Sequence, residues 1–233
     1  YFYSRRKRNQ YRSTKHHNNV MVDNYEIAEF GSGLFQIKNQ TFPEIKHWKT
    51  NNKSSSLSLS HQGYSNLKDP VVHTRNFFLD KDSFYIQDVL IGKDIHNLNW
   101  MFYIDSYVNV EQYNEKHLIL TLENSIKISM ILITETIAEF KVNNSTLSNS
   151  YGKELSTKCI NINIDSTLPL KLVIKFEIYN DEIIDDKIYD ITNHNVFKNF
   201  NLYPKPKTLT IGNPPFGRQG SLAQKFIKHA SVY

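Results

Sequence analysis

The sequence predicts an all-β protein: an antiparallel β-sandwich with a short C-terminal strand-turn-helix appendage. Apolar and polar residues alternate with a period of two from about residue 20 to residue 180, which is typical of strands with one buried face. Short polar turns separate the alternating segments, as in antiparallel sandwiches. The chain also contains 14 Tyr, 14 Phe and 2 Trp, and aromatic residues favour strands.

The first predicted strand is Val20-Met21-Val22, which ends at Asp23-Asn24. Asp and Asn tolerate the positive φ of a tight turn, so we expect the chain to reverse there. Two hairpins follow, 71–79 with 83–90 and 117–122 with 125–134. The strand from 125 to 134 carries apolar residues on both faces, which indicates burial on both sides. Further strands are predicted over 136–142 and 168–179, with loop tips at 143–145 and 149–152.

Charge and cysteine content exclude few classes of function. The net charge of +5, from 28 basic and 23 acidic residues, suits a polyanionic polysaccharide and a nucleic acid equally well. The densest basic cluster, Arg5-Arg6-Lys7-Arg8, fits either an anionic partner or a solvated edge. Cys159 is the single cysteine, so the chain forms no internal disulfide and no thiolate metal cluster. We expect Cys159 to be a small buried residue.

The sequence shows no apolar run long enough to span a membrane. It also shows no signal peptide, and both of its ends read as cut from a longer chain.

Two adjacent histidines, His16 and His17, lie between a basic, polar lead-in and the first strand. We expect their rings to lie at the edge of the sheet, where they are available to a metal ion or to a sugar carboxylate.

Two segments resemble the heparinase II/III-like family of polysaccharide lyases. The run Arg8-Asn9-Gln10-Tyr11-Arg12-Ser13-Thr14, then His17-Asn18 and Val20-Met21-Val22-Asp23, is similar to the family's Arg-Asn-x-Phe/Tyr-Arg-Ser-Thr, Ala-His-Asn-Thr-Val and Val-Asp-Gly. His16, Asn19 and Asn24 replace the usual Ala, Thr and Gly. The segments Ser60-His61-Gln62-Gly63-Tyr64 and 72–79 are similar to the family's His-Asp-Gly-Tyr and Thr-His-Arg-Arg. The resemblance covers about residues 1–180.

The resemblance implies the C-terminal sandwich domain of an enzyme that cleaves a uronate-containing, acidic polysaccharide by β-elimination. It places the catalytic groups mostly in an N-terminal helical toroid domain that this sequence lacks, so we predict no catalytic residue here. By the same match, His17 is a ligand of a divalent, zinc-like metal in the complete protein or a histidine lining the site. One imidazole is not a metal site, since zinc takes three or four ligands. The family setting also implies the bacterial periplasm or the cell exterior.

We predict that the polysaccharide is bound by five residues of the matched segments: Arg12, His16, Asn18, His61 and Tyr64. We expect His73 to have a structural role. We expect the same of Trp100, because it lies in an apolar run.

The end of the chain carries an unrelated pattern. Residues 181–207 predict a linker that ends at Pro204-Lys205-Pro206-Lys207. In residues 208–233, Asn213-Pro214-Pro215-Phe216 resembles motif IV of the adenine-N6 DNA methyltransferases, in which these residues hold a flipped base. That resemblance implies S-adenosylmethionine and nucleic acid as ligands, although the glycine-rich loop for the cofactor is absent from the sequence.

Three alternatives to a lyase domain stay open from the sequence. The chain is a fragment of a methyltransferase, a non-catalytic carbohydrate-binding sandwich, or two coding fragments fused end to end. The last of these explains why two unrelated motifs occur in one chain.

Overall fold

A computed structural model describes residues 4–33, 36–38, 41–150 and 153–179. In these residues a short helix and a 3-10 turn precede twelve strands. The helix α1 is Arg5–Arg12 and the 3-10 turn is Thr14–His16. The strands are β1 Val20–Val22, β2 Glu44–Thr50, β3 Ser55–Tyr64, β4 Val71–Leu79, β5 Ser83–Ile91, β6 Ile95–Tyr103, β7 Asn109–Asn114, β8 His117–Thr121, β9 Lys127–Ile133, β10 Lys141–Ser150, β11 Lys153–Thr167 and β12 Leu170–Ile178.

The strands form two antiparallel sheets. The smaller has the order β1-β6-β11-β10 and the larger has the order β2-β3-β4-β5-β12-β9-β8-β7. The prediction of an all-β antiparallel sandwich is therefore confirmed.

The core lies between the two sheets and follows from the period-two pattern. Alternate residues of β6, Leu98, Trp100 and Phe102, point inward and are at most 1% exposed. They belong to one apolar cluster with inward residues of the larger sheet such as Leu90 and Leu172. Each fully buried side chain of this kind stabilises the fold by roughly 1.5–3 kcal/mol, so this layer holds the two sheets together.

The short strand and both hairpins predicted from the sequence are confirmed. Strand β1 is buried and pairs with β6, and Asp23 and Asn24 have φ values of 51° and 57°. Strands β4 and β5 pair as one hairpin, and β8 and β9 pair as the other. Cys159 is buried, as expected.

The prediction for residues 136–145 was wrong. The strand begins only at Lys141, and Asn143, Asn144 and Ser145 pair with β11 instead of forming a loop tip. Polar residues of this kind favour turns in isolation, but here Asn143 and Asn144 lie exposed in a paired strand. Asn143 Nδ2 donates to Asn161 Oδ1 across the strands at 3.1 Å, so tertiary pairing overrides the local preference.

The predicted linker, 181–207, and the methyltransferase-like segment with Asn213, Pro214, Pro215 and Phe216 lie outside the described residues. Within the described part of the chain, no helix is long and apolar enough to cross a membrane.

Candidate functional site

The segment that carries both histidines, residues 13–19, joins α1 to β1 and is called here the His17 segment. Helix α1 is capped at its N-terminus by Ser4, whose side chain accepts from the Lys7 N–H at 3.3 Å. Its C-terminal cap is Ser13, whose N–H donates to the Asn9 carbonyl at 3.0 Å. The Ser13 hydroxyl oxygen then accepts from the Lys15 N–H at 3.3 Å and so caps the 3-10 turn. The turn brings His16 and His17 to the edge of the smaller sheet.

Glu26 fixes the first half of the His17 segment. Its carboxylate accepts from the Ser13 hydroxyl and, at 2.7 Å, from the Thr14 N–H. In return the Thr14 hydroxyl accepts from the Ile27 N–H at 3.0 Å. These bonds hold the His17 segment against Glu26 and Ile27, which follow the Asp23-Asn24 turn.

Three donors fix the second half. Arg75 Nη1 donates to the Asn18 carbonyl at 2.6 Å, and the Tyr103 N–H donates to Asn18 Oδ1 at 2.7 Å. The Met101 N–H donates to the Asn19 carbonyl at 3.0 Å. The backbone around His17 is therefore held both by β6 and by a side chain of β4.

Arg75 is itself held by Asp88, which is 0% exposed. The two oxygens of Asp88 accept from Arg75 Nε and Nη2, both at 2.7 Å. They also accept from His73 Nε2 at 2.6 Å and from Trp100 Nε1 at 2.9 Å. Burial acts to raise the pKa of Asp88, but Arg75 and His73 outweigh it and hold that pKa well below the usual range. A buried carboxylate with this many donors is a fixed anionic centre.

His61 and His73 are linked to Asp88 by a series of hydrogen bonds. The Gly63 N–H donates to His61 Nδ1 at 3.1 Å, so the proton of the neutral His61 ring lies on Nε2. His61 Nε2 lies 3.0 Å from His73 Nδ1, so His61 donates and His73 Nδ1 accepts. The proton of the His73 ring is then on Nε2, which donates to Asp88. Burial lowers the pKa of His61 to about 3, with help from the charge of Arg75. The chain of hydrogen bonds thus has one direction, from Gly63 to Asp88.

The rings of the two adjacent histidines have different surroundings. His16 lies between Tyr11 and Tyr103, with ring centroids 5.2 and 5.5 Å away. Burial, together with the charge of His17, lowers the pKa of His16. Burial also lowers the pKa of His17, and Glu26 and a hydrogen bond to the Tyr11 backbone oppose that shift only in part. Both imidazoles are therefore favoured in the neutral form, which can bind a metal or accept a proton.

The other residues predicted to bind substrate have structural contacts. Arg12 lies 4.6 Å over the Phe30 ring and donates to the Gln36 carbonyl at 3.1 Å. Asn18 uses its side-chain oxygen to complete the edge of β6, as given above. His61 has both ring nitrogens engaged, which leaves neither for a sugar.

The role predicted for Tyr64 as a substrate-binding residue is corrected by its burial. The side chain is 0% exposed, and its hydroxyl donates to the Val20 carbonyl at 2.5 Å. Tyr64 therefore packs in the core and fastens β1 to the larger sheet.

The described residues do not form a metal site on their own. No group of three or more His, Cys, Asp or Glu side chains suited to a metal ion occurs among them. Metal binding by His17 stays a prediction, and further ligands have to come from polypeptide outside the described part of the chain.

Sequence reasoning missed four residues of this site: Glu26, Arg75, Asp88 and Tyr103. One signal for Asp88 was present, because it occupies the inward position between Ile86 and Leu90 in an otherwise apolar alternation. A carboxylate at a core position requires buried cationic or hydrogen-bonding partners.

Comparison with known proteins agrees with this architecture. Residues 1–182 match the family model described as heparinase II/III-like, C-terminal. No curated protein matches the chain.

Among solved structures, the chain is similar to the heparan sulfate lyase HepC from Pedobacter heparinus, with a TM-score of 0.60 and 17% identity over 74% of this chain and 25% of that one. It is also similar to a heparinase III gene product, with a TM-score of 0.60 and 16% identity over 74% and 25% of the two chains. A further heparinase III gives a TM-score of 0.59 and 13% identity over 73% and 24%. The chain thus spans about a quarter of the length of these proteins, and at such identities the likeness shows the fold.

Proposed function

This chain belongs to the heparinase II/III-like family through its C-terminal domain, and we propose that it serves as the sandwich domain of an enzyme that cleaves an acidic, uronate-containing polysaccharide by β-elimination. The observation that carries the proposal is the anchoring of His17. Its backbone is fixed on one side by Glu26 and on the other by Arg75 and Tyr103, and its ring is favoured in the neutral form.

The reaction needs a small set of groups. A base removes the proton at C5 of the uronate, the electron pair forms the C4–C5 double bond, and the C4–O bond breaks. The leaving oxygen then takes a proton from an acid. Since the C5 carboxylate gathers charge as the proton leaves, a fixed donor or a cation beside it lowers the barrier.

We assign His17 to the lining of this site, where a fixed neutral imidazole contacts the uronate or binds a divalent metal. The base and the acid come from an N-terminal helical domain, as in the resemblance that the sequence shows. His16, held between Tyr11 and Tyr103, lies beside His17 and contributes a polar edge for the sugar chain. Acidic polysaccharides occur outside the cytoplasm, so we place the enzyme in the periplasm or outside the cell.

The test compares two adjacent histidines in the full-length enzyme. Because the imidazole of His17 lines the site, H17A is expected to lower kcat/KM by about a hundredfold, the upper range for a lost hydrogen bond to a charged group. H16A, the matched control, is expected to stay within about threefold, since His16 contributes only an edge contact. The rise in ultraviolet absorbance of the unsaturated uronate product measures both rates. Equal activity of H17A and H16A would remove the basis of the proposal.

Two further readouts separate the roles of His17. If His17 binds a metal, the metal content of the purified full-length enzyme falls in H17A and not in H16A. If His17 contacts only the sugar, metal content stays equal in the two variants while KM rises in H17A. We expect the 233-residue chain alone to show no turnover, because we assign the base and the acid to the helical domain.

A further inference from the structure

A cavity of about 400 Å³ opens where β2, β3 and β4 meet. Its wall includes Phe42, Glu44, Lys46, Gln62, Val72 and Thr74. Ser60, which also lines the cavity, precedes His61 along β3 and pairs with Thr74, which follows His73 along β4. Since successive side chains of a strand point to opposite faces, the cavity lies on the outer face of the larger sheet, away from the buried histidines.

Phe42 is the unusual residue of this cavity. Its side chain is 60% exposed, and its backbone has a φ of 44°. Positive φ is rare for a bulky residue and strains its backbone. The Gln62 N–H donates to the Thr41 carbonyl at 2.8 Å and fixes the backbone just before Phe42. The chain therefore holds an aromatic ring in the solvent, in a strained conformation, where it adds little to the core.

Beside the apolar residues Pro70, Val71 and Val72, the wall carries polar side chains that suit a sugar ring. Gln62 supplies an amide and Thr74 a hydroxyl, which exchange hydrogen bonds with sugar hydroxyls. Glu44 and Lys46 form an ion pair, and their side chains remain 62% and 48% exposed. Such an exposed pair is worth little by itself, so a ligand carboxylate can displace Glu44 from Lys46 at low cost.

We propose that this cavity is an ancillary subsite that binds one acidic pyranose unit of the polysaccharide. Phe42 packs against the C–H face of the sugar, Gln62 and Thr74 bind its hydroxyls, and Lys46 pairs with its carboxylate. The choice of an acidic sugar rests on the proposed function, whereas binding at the cavity requires no lyase activity. The subsite would hold the polymer on the domain while the active site acts on another part of it.

The test measures binding of a tetrasaccharide of alternating glucuronate and N-acetylglucosamine to the full chain by calorimetry. F42A is compared with W48A, because Trp48 is also an exposed aromatic residue, at 48%, and does not line the cavity. F42A is expected to weaken binding by about fivefold or more, the value of one aromatic contact. W48A and H17A are expected to stay within about twofold, which is no more than a rim contact contributes.

Binding by two further variants tests which side chains of the cavity contact the sugar. Q62A is expected to weaken binding as F42A does, which guards against a folding defect in one variant. K46Q is expected to remove the preference for this tetrasaccharide over the neutral N-acetylglucosamine tetramer. The subsite is refuted if wild type shows no saturable binding, if F42A and W48A bind equally, or if K46Q keeps the preference.

Failure of the subsite can be told apart from failure of the lyase proposal. F42A in the full-length enzyme is expected to keep the wild-type kcat at saturating substrate, because Phe42 does not touch the reacting atoms. A full-length enzyme that binds through Phe42 and yields no unsaturated product would refute the lyase proposal alone. A loss of kcat in F42A would place Phe42 in the active site and overturn the ancillary role.

Discussion

Arg75 binds the Asp88 carboxylate through two parallel hydrogen bonds, from Nε and Nη2, each 2.7 Å long. The third nitrogen of the same guanidinium donates to the Asn18 carbonyl beside His17. One side chain thus joins a fully buried carboxylate to the segment that carries the candidate site. A planar fork of this kind fixes orientation as well as distance, so the geometry of the His17 segment depends on a charge pair in the core.

The first prediction concerns this pair. R75Q leaves the Asp88 carboxylate buried without its cation, and loss of one partner of a buried pair costs about 3–5 kcal/mol. We expect the free energy of unfolding, measured by urea denaturation, to fall by that amount. R5Q is the control, because Arg5 lies on the exposed surface of α1 and its loss is expected to cost under about 0.5 kcal/mol. Equal stability of R75Q and R5Q would show that water or another donor compensates Asp88.

The sequence determined the parts of the fold that are local. The hairpins β4–β5 and β8–β9 were predictable because each combines a polar turn with a period-two pattern on both strands. The buried strand β1 and its turn were predictable for the same reason. Residues 143–145 were not, because their Asn and Ser side chains favour turns and only pairing with β11 makes them a strand.

The candidate site was predictable in part. The motif around His17 indicated the segment that we propose for the site, but most of the groups that hold this segment come from β4, β5 and β6, which are distant in the chain. Tyr64 shows a second reason why the sequence predicted the candidate site only in part. The register of β3 and β4 shifts between His61 and Tyr64, and such a bulge re-aims the side chains beyond it. A motif does not reveal which face the shifted residue takes.

The second prediction tests the bond from Tyr64 to β1. Y64F keeps the buried ring and removes the hydroxyl, so the Val20 carbonyl loses its donor. An acceptor left unsatisfied in the core costs about 1–3 kcal/mol. Y107F is the matched control, since Tyr107 is 61% exposed and is expected to change stability by under about 0.5 kcal/mol. Thermal unfolding of both variants measures the difference, and a Y64F protein as stable as Y107F would contradict the assignment.

The third prediction concerns the space beside His61. A Cβ at Gly63 would lie 2.5 Å from Ile27 Cγ2 and 3.0 Å from His61 Nδ1. We therefore expect G63A to displace His61 and to destabilise the fold by about 1–3 kcal/mol, the usual cost of overpacking. G33A is the control, since its Cβ meets only the Gln36 side chain, at 3.3 Å. If urea unfolding shows G63A to be no worse than G33A, the packing around His61 is looser than these distances indicate.

The last prediction is a pH dependence centred on His96, which is 3% exposed. Its Nδ1 donates to Asp23 at 2.7 Å and its Nε2 donates to Asp69 at 2.9 Å, so both nitrogens carry protons and the ring is an imidazolium. Burial acts to lower the pKa of His96, but the hydrogen bonds to Asp69 and Asp23 outweigh it and raise that pKa above its ordinary value of 6.5.

The sign of the effect follows from linkage. A histidine whose folded pKa is raised stabilises the fold fully below its unfolded pKa, and this stabilisation is lost as the pH rises through the folded pKa. The free energy of unfolding of the wild type is therefore expected to fall as the pH rises above 6.5, through the raised pKa of His96. Asp69 adds no slope there, because hydrogen bonds from the Asp94 N–H and His96 lower its pKa to about 2.

H96Q isolates this contribution, because glutamine does not titrate and donates from one nitrogen only. We expect H96Q to be less stable than the wild type at pH 6.5 and the difference to shrink as the pH rises. Urea denaturation at several pH values from 6.5 upward measures it and avoids the acid range, in which His61 takes up a proton in the unfolded chain first. Parallel pH profiles of the two proteins would mean that His96 is neutral between its two carboxylates.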